Sequence, residues 1–304
     1  MKKRSIKRLI RGGIKVIRHQ WNKFRLYIKP LRGNGVSGKQ EWDVIVSLTS
    51  FPKRIKSVPN CIKTLLNQSY KPDAVILWLA EEQFPRKEAD LPKKLTRLQK
   101  YGLTIKWCND IRSYKKLIPC LKEYPMATII TTDDDVYYKS NWLEGLMKAH
   151  QQYPNEVCCY RAAKIFFESD TFKREEVGVG SQYAQATYLH QQTGVGGVLY
   201  PSGSLFEDVL KENIFMKIAD TNDDLWFWLM GVKKGTKVRI LENNSFKLYY
   251  IGDTQLYSLT SINEHGEERY FKQLEAIFQQ YPEIFDVLKQ EYEYLKQQES
   301  LREE

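Results

Sequence analysis

Ile129-Ile130-Thr131-Thr132-Asp133-Asp134-Asp135-Val136-Tyr137-Tyr138 is the stretch on which the reading of this chain turns. Its first half is apolar and β-branched, the composition of a strand buried on both faces. Its second half sets three carboxylates in a row directly after that strand. Adjacent like charges at a strand end repel, and a cation offsets the repulsion. Two of them, Asp133 and Asp135, are spaced to share a hard divalent ion such as Mn²⁺ or Mg²⁺. Such ions take oxygen ligands and keep positions open for phosphates. The D-x-D spacing alone is weak, since one arises roughly once by chance in a chain of average composition and this length. The triplet behind an apolar strand is much less expected. An acidic loop without a ligand is the plain alternative.

Outward from this run, the first half of the chain alternates apolar strands with helices. Strands are expected at Val44 to Leu48, Ala74 to Leu79, Leu103 to Trp107 and Ala127 to Thr132. Helices are expected at Pro59 to Asn67, Ser113 to Glu123 apart from Pro119, and Asn141 to Gln152. This alternation predicts an α/β fold with a mostly parallel sheet flanked by helices. Ligands of such sheets bind at the carboxyl ends of the strands, where the acidic run falls. The second half is less regular. Val195 to Pro201 reads as a Gly-rich turn entering a short strand, and Asp220 to Gly231 as an acidic turn opening an aromatic helix. Lys237 to Leu241 and Phe246 to Ile251 read as strands, and a charged helical pair follows from Glu267. The expected division is a basic segment and linker over residues 1–40, a main domain over 41–252 and a helical extension over 253–304. No internal repeat is visible.

Two more clusters carry possible chemistry. Asp220-Thr221-Asn222-Asp223-Asp224 precedes Leu225-Trp226-Phe227-Trp228. Asp and Asn are ordinary helix caps, yet a carboxylate there can also serve as a general base toward a hydroxyl. Arg112-Ser113-Tyr114-Lys115-Lys116 is either a phosphate contact or a solvated basic turn. Two look-alikes fail. Gly33 to Gln40 nearly matches a P-loop, but Gln40 stands where Ser or Thr would ligate Mg²⁺, and the run precedes the first strand. The D-x-D-x-T/V of aspartyl phosphatases would put Tyr137 where Thr or Val belongs.

The net charge of +10 is unevenly spread. Residues 1–32 hold twelve Lys or Arg and no acid; removing them from the 47 basic residues leaves 35 against 37 acidic ones. The body is near neutral, so overall basicity says nothing of nucleic-acid binding by it, and no nucleic-acid partner is expected. Ile6, Ile10, Ile14, Ile17, Trp21, Phe24 and Ile28 form one helical stripe, weakened by Gly12-Gly13 and ended by Pro30. A basic helix of this kind suits an anionic membrane surface. A stripe packed on the domain is the rival reading. No stretch approaches the roughly 18 apolar residues of a membrane span, and no secretory core segment is present. The expected location is cytoplasmic, peripheral on the inner face of the membrane. Cys61, Cys108, Cys120, Cys158 and Cys159 lack C-x-x-C spacing and read as buried reduced thiols.

From about Trp42 to Asp253 the chain resembles the GT-A glycosyltransferases, family 2 among them, especially bacterial enzymes that build capsule, O-antigen and lipopolysaccharide sugars. The resemblance is carried by Val46 to Ile55, by Leu65 to Pro72, by Ser113-Tyr114-Lys115-Lys116, by Asp133-Asp134-Asp135 and by Asp223-Asp224. It implies a Rossmann-like sheet that binds a nucleotide-sugar donor, with a UDP-sugar preferred, and passes the sugar to a glycan or lipid-linked acceptor, with inversion preferred. Asp133 and Asp135 would hold Mn²⁺ or Mg²⁺ on the diphosphate, with Asp134 in the same donor-binding run. Thr49 and Arg54 would lie near the nucleobase or ribose, Lys115 or Lys116 would neutralise phosphate, and Asp223 or Asp224 would be the base. The chain departs from the family at two points. Leu79-Ala80-Glu81-Glu82 stands where an Asp often reads uracil, and Asn222-Asp223-Asp224 replaces a Glu-Asp pair. A sugar nucleotidyltransferase would want a Gly-rich loop after the first strand, which Leu48-Thr49-Ser50-Phe51-Pro52 lacks. An inactive carbohydrate- or membrane-binding protein would not need the intact triplet.

Overall fold

Buried strands joined by short helices build the first half of the molecule in the computed structural model, which describes residues 17–169, 171–177, 185–241, 248–252, 254 and 266–303. A helix at residues 17–28, α1, leads through a linker to β1 (Val44–Thr49). Then come α2 (Val58–Leu65), β2 (Ala74–Ala80), the single-turn α3 (Lys93–Thr96), β3 (Leu103–Cys108), α4 (Ile118–Glu123), β4 (Thr128–Thr131) and α5 (Trp142–Gln152). The second half holds β5 (Val157–Cys159), β6 (Ala162–Glu168), β7 (Thr171–Glu176), β8 (His190–Gln192) and β9 (Val198–Tyr200). It ends with α6 (Glu212–Ile218), α7 (Asp223–Lys234), β10 (Val238–Ile240), α8 (Gly266–Gln280) and α9 (Pro282–Glu303).

Seven strands form one sheet in the order β10-β5-β9-β4-β1-β2-β3. All neighbours run parallel except β9, which is antiparallel to both β4 and β5. The mostly parallel α/β sheet expected from the sequence is therefore present. The chain winds from β1 out to β3, then crosses back to lay β4 on the other side of β1. That reversal makes the carboxyl ends of β1 and β4 a topological switch point, where a crevice opens.

Side-chain alternation splits the core into two layers. Ile45, Ile76, Trp78 and Ile129 face a cluster with α4, α7, α8 and α9, while Val46, Leu48, Val75, Leu77 and Ile130 face one with α2 and α5. The segment Leu225-Trp226-Phe227-Trp228-Leu229-Met230 of α7 is buried on every side, as a helix covered all round requires. Leu274 and Ile277 of α8 and Ile284 and Leu288 of α9 share that core, so the C-terminal helices are packed on the sheet domain.

Several expectations are corrected. The run Ser113 to Glu123 is not one helix: a 3₁₀ turn, Arg112–Lys116, is followed by α4. Pro119 has no N–H to give the Lys115 carbonyl, so the ladder breaks between them. A three-stranded antiparallel sheet, β7-β6-β8, was not foreseen. Of Phe246 to Ile251, residues 246 and 247 lie outside the described residues, and the remainder forms only an isolated bridge, Tyr250 with Val136. The stripe residues Ile6, Ile10 and Ile14, with Gly12-Gly13, also lie outside them. All five cysteines are free thiols, four buried and Cys108 half-buried. No helix among the described residues is long and apolar enough to cross a membrane.

Candidate active site

The acidic run leaves β4 as a tightly tied loop. Thr132 N–H still bonds the Ser47 carbonyl of β1 at 3.0 Å, after which the chain turns out of the sheet. Asp133 N–H donates to the hydroxyl of buried Tyr138 at 3.0 Å, and the Tyr138 ring packs on Trp142. From outside, Tyr137 N–H bonds the Tyr249 carbonyl at 2.8 Å and Ile251 N–H bonds the Asp135 carbonyl at 2.7 Å. The segment 249–251 thus pins the loop.

The three carboxylates have different surroundings. Asp134 turns inward: Ser50 Oγ donates to its Oδ2 at 2.5 Å and Arg54 Nη1 to its Oδ1 at 2.8 Å. The same Arg54 nitrogen stands 3.2 Å from Asp135 Oδ2. Asp133 is the most open of the three, with Lys116 Nζ 3.7 Å from its Oδ1. Burial, reinforced by the Asp133 charge and opposed by Arg54, pushes the Asp135 carboxyl up to about 7. Burial likewise raises Asp134, against Arg54 and Ser50.

Among its cations, the basic turn is solvated only at Arg112, whose side chain is exposed. Lys115 and Lys116 are both buried, and Lys115 Nζ ion-pairs with Asp110 at the end of β3. Lys116 Nζ reaches Asp223 Oδ2 at 2.8 Å, Asp224 Oδ1 at 3.3 Å and the Asp133 carboxylate. Burial alone would lower the Lys116 ammonium, but the three carboxylates outweigh it and raise it well above its ordinary value. Two bonds hold the turn: Ser47 Oγ donates to the Lys116 carbonyl at 2.6 Å, and Tyr114 OH to the Ala219 carbonyl at 2.7 Å.

The start of α7 resolves which side chain caps the helix. Asn222 Oδ1 accepts from Leu225 N–H at 3.3 Å, so Asn222 is the cap, and Asp223 and Asp224 are left in the first turn. Asp224 Oδ2 accepts the Gly194 N–H at 2.7 Å while its Oδ1 faces Lys116. Burial drives the Asp224 carboxyl up to about 6, with Lys116 opposing and Asp223 adding to the rise. Gly194 has no room for a side chain: a Cβ would lie 2.7 Å from both Asp224 Oδ1 and Lys116 Nζ.

Thr49, Arg54, Lys115, Lys116, Asp133, Asp134, Asp135, Asp223 and Asp224 all line one cleft of about 490 Å³ at the carboxyl ends of β1 and β4. Residues from four separate stretches of sequence are thus brought together. Thr49 Oγ1 donates to the Trp78 carbonyl at 2.9 Å. Three participants were not singled out from the sequence. Ser50 lay inside a quoted motif without a role. Asp110, held by Gln83 Nε2 at 2.6 Å and by Lys115, lay between elements. Gly194 stands one residue before the turn expected from Val195, and the Gly-Val-Gly-Gly run was its only signal.

Two features bear on whether a divalent ion suits this cleft. Among the described residues, Arg54 and Lys116 ion-pair with the cluster Asp133, Asp134, Asp135, Asp223 and Asp224. Five carboxylates this close together repel one another, and their oxygens are a donor set whose repulsion a further cation would relieve. Among the described residues no three His, Cys, Asp or Glu side chains form a ready-made cage. Mg²⁺-type ions sharing phosphate oxygens use one or two carboxylates, so Asp133 and Asp135 suffice. The residues fit the ion.

No protein-family model matches the chain, and no curated protein matches it. Among solved structures it is similar to the mannosyltransferase PcManGT from Pyrobaculum calidifontis in complex with GDP-Man and Mn²⁺. Identity is 11%, the TM-score 0.44, and the match covers 77% of this chain and 64% of that one. It is also similar to S. aureus TarS 1-349, at 13% identity and TM-score 0.43, covering 78% and 71% of the two chains. The same TarS segment in complex with UDP gives 14% identity and 0.45, covering 77% and 65%. The chain therefore spans just under two thirds of the mannosyltransferase and of the UDP-bound TarS segment. These likenesses are distant, and what the cleft can do is read from its own residues.

Proposed function

We propose that this protein is a glycosyltransferase of the GT-A type that moves a sugar from a nucleoside-diphosphate donor to a hydroxyl of a glycan or lipid-linked acceptor. One observation carries the reading: the Asp133–Asp135 run and the Lys116–Asp223–Asp224 cluster meet in a single cleft at the switch point of the sheet. A diphosphate needs positive charge and an attacking hydroxyl needs a proton acceptor; Lys116 supplies the first, and the carboxylates around its ammonium supply the second.

Asp133 and Asp135 would hold Mn²⁺ or Mg²⁺, and such an ion would supply positive charge against the negative charge developing on the leaving diphosphate. Lys116 adds a fixed ammonium on the same side, already desolvated and held by three carboxylates, so little reorganisation is needed as charge builds. Asp224 is the base. Its affinity for a proton, raised to about 6, leaves it ionised near neutrality yet a better acceptor than an ordinary carboxylate. Asp224 takes the acceptor hydroxyl's proton as that oxygen bonds the anomeric carbon. The carbon–phosphate oxygen bond breaks, and its electron pair leaves with the nucleoside diphosphate. Direct attack opposite the leaving group inverts the anomeric centre. Asp223, 2.8 Å from Lys116 and buried, positions that ammonium. Thr49, with Phe51, Gln83 and Asp110 on the same rim of the cleft, is the place for the nucleoside, and uridine is the first donor to test.

Thermal-shift titration with UDP, GDP and CMP, each with Mn²⁺ or with EDTA, tests the reading. One nucleoside diphosphate should stabilise the protein, and only with the ion. If UDP and GDP both leave the melting temperature unmoved with Mn²⁺ present, whatever CMP does, the proposal is wrong.

A further inference from the structure

Helix α1 docks on the domain by the wrong face for an ordinary amphipathic helix. His19, Asn22, Lys23 and Leu26 are the half-buried positions. The His19 ring stacks on Tyr249 with centroids 4.7 Å apart, Asn22 Nδ2 donates to Tyr249 OH at 3.3 Å, and Leu26 packs against the core. Lys63 Nζ reaches the Tyr27 carbonyl at 2.9 Å. The apolar stripe is elsewhere: Ile17, Trp21, Phe24 and Ile28 are 71, 59, 49 and 50% exposed. At about 100° per residue, the docked set and the stripe lie about 180° apart. The reading of a stripe packed on the domain is therefore corrected for the described part of the helix.

Five of the eight exposed large hydrophobics among the described residues lie on this one helix. A contiguous apolar strip of this kind marks a contact surface. Its surroundings state the partner's charge. Arg18, Arg25, Lys29 and Arg32 are exposed around it, residues 1–32 contain no acid, and residues 2–15 add seven more Lys or Arg. A second copy of the chain would bring these cations face to face. An acidic, apolar-cored surface complements them, and an anionic bilayer is one.

We propose that residues 17–32 form a membrane-docking surface for anionic lipid. Ile17, Trp21, Phe24 and Ile28 enter the boundary between headgroups and acyl chains, the cations face the lipid phosphates, and the opposite face carries the domain. The docked face touches Tyr249, and the segment 249–251 pins the acidic loop and lines the cleft through Tyr250. The bilayer contact and the cleft thus share one short piece of chain. The proposal stands independently of the sugar-transfer reading, because its test measures no catalysis.

The test is flotation of the full chain with vesicles of phosphatidylcholine alone or mixed with phosphatidylglycerol, alongside light scattering of the lipid-free protein. The wild type should float with the anionic vesicles and not with the neutral ones. Trp21→Glu with Phe24→Glu should abolish flotation while leaving the melting temperature unchanged, since both side chains are exposed. Arg18→Gln with Arg25→Gln should weaken anionic binding about fivefold per cation, the scale of a surface-proximal charge. Failure of the wild type to float, equal flotation of the Glu double variant, or a wild-type dimer that the double variant splits without any lipid binding would each overturn the proposal.

Discussion

Replacing Gly194 with Ala probes the cleft through a single methyl group. The added Cβ would sit 2.7 Å from Asp224 Oδ1 and from Lys116 Nζ. Ordinary contact begins near 3.4 Å, so the pair must part from the methyl by about 0.7 Å. Lys116 cannot swing away freely, because Asp223, Asp224 and Asp133 surround its ammonium, and Asp224 is bonded to the Gly194 N–H itself. A misplacement of this order at a reacting group costs on the order of 10²-fold in rate, while overpacking costs roughly 1–3 kcal/mol of stability. Withdrawal of Lys116 also removes the charge that opposes the rise of Asp224, so the acid limb of the pH–rate profile should move upward from about 6. The assay is metal-dependent hydrolysis of a donor nucleotide sugar across pH, beside calorimetric nucleotide affinity, which should be retained. Gly197→Ala is the control. Its Cβ would meet the Trp142 ring at 2.4 Å, away from the acids, and should lower the melting temperature without moving the pH limb. Should Gly194→Ala turn over within twofold of wild type with an unshifted limb, the assignment of Asp224 and Lys116 as a unit fails.

Other consequences are open to measurement. Asp224→Asn should lower turnover about 10²-fold or more with nucleotide affinity kept; normal turnover would move the base elsewhere. Asp135→Ala should remove the difference between Mn²⁺ and EDTA in nucleotide calorimetry, and a surviving difference would clear Asp135 of any metal role. His190, buried with Nδ1 toward the Val238 carbonyl at 3.2 Å, is held down to about 4 by burial, against an ordinary 6.5. The unfolded chain therefore takes up the proton first as pH falls. The stability of the neutral ring is whole above 6.5 and is lost between 6.5 and 4, by about 3 kcal/mol in full. Urea melts of wild type and His190→Gln at about pH 7 and about pH 4.5 should show the smaller loss in the variant, and parallel losses would exclude His190 as a source.

The sheet was legible where burial leaves a compositional mark. Ala74 to Ala80 is buried at every position and reads as an unbroken apolar run, and β1 and β4 are mostly buried and rich in β-branched residues. β7 was illegible because Thr171-Phe172-Lys173-Arg174-Glu175-Glu176 buries only Phe172 fully and otherwise carries charge. The acidic triplet announced itself through its place after a buried strand. The burial of Lys116 could not be read, since local sequence looks the same whether a lysine meets water or three carboxylates from distant elements. The capping ambiguity at α7 closed for a similar reason: which of three neighbouring Asx side chains turns back to the backbone is a matter of geometry. The stripe of α1 was visible in sequence, but its outward direction was not, because the docked set His19, Asn22, Lys23 and Leu26 is mostly polar.

Strand β9 runs against its neighbours, and this separates the cleft into parts that can be exchanged. Val198 opens β9 and pairs with Thr131 and Cys159, the last residues of β4 and β5. Reversal therefore delivers the loop before β9, with Gly194, to the same edge as the acidic run; a parallel strand would have sent it to the far side. One wall of the cleft comes from residues 49 to 135 and another from residues 193 to 224, with Lys116 the bridge between them and Tyr250 added from the segment that pins the acidic loop. A graft bounded by β8 and α7 could thus exchange the second wall while the first is inherited whole, provided that Gly194 and the two acids opposite Lys116 travel with it.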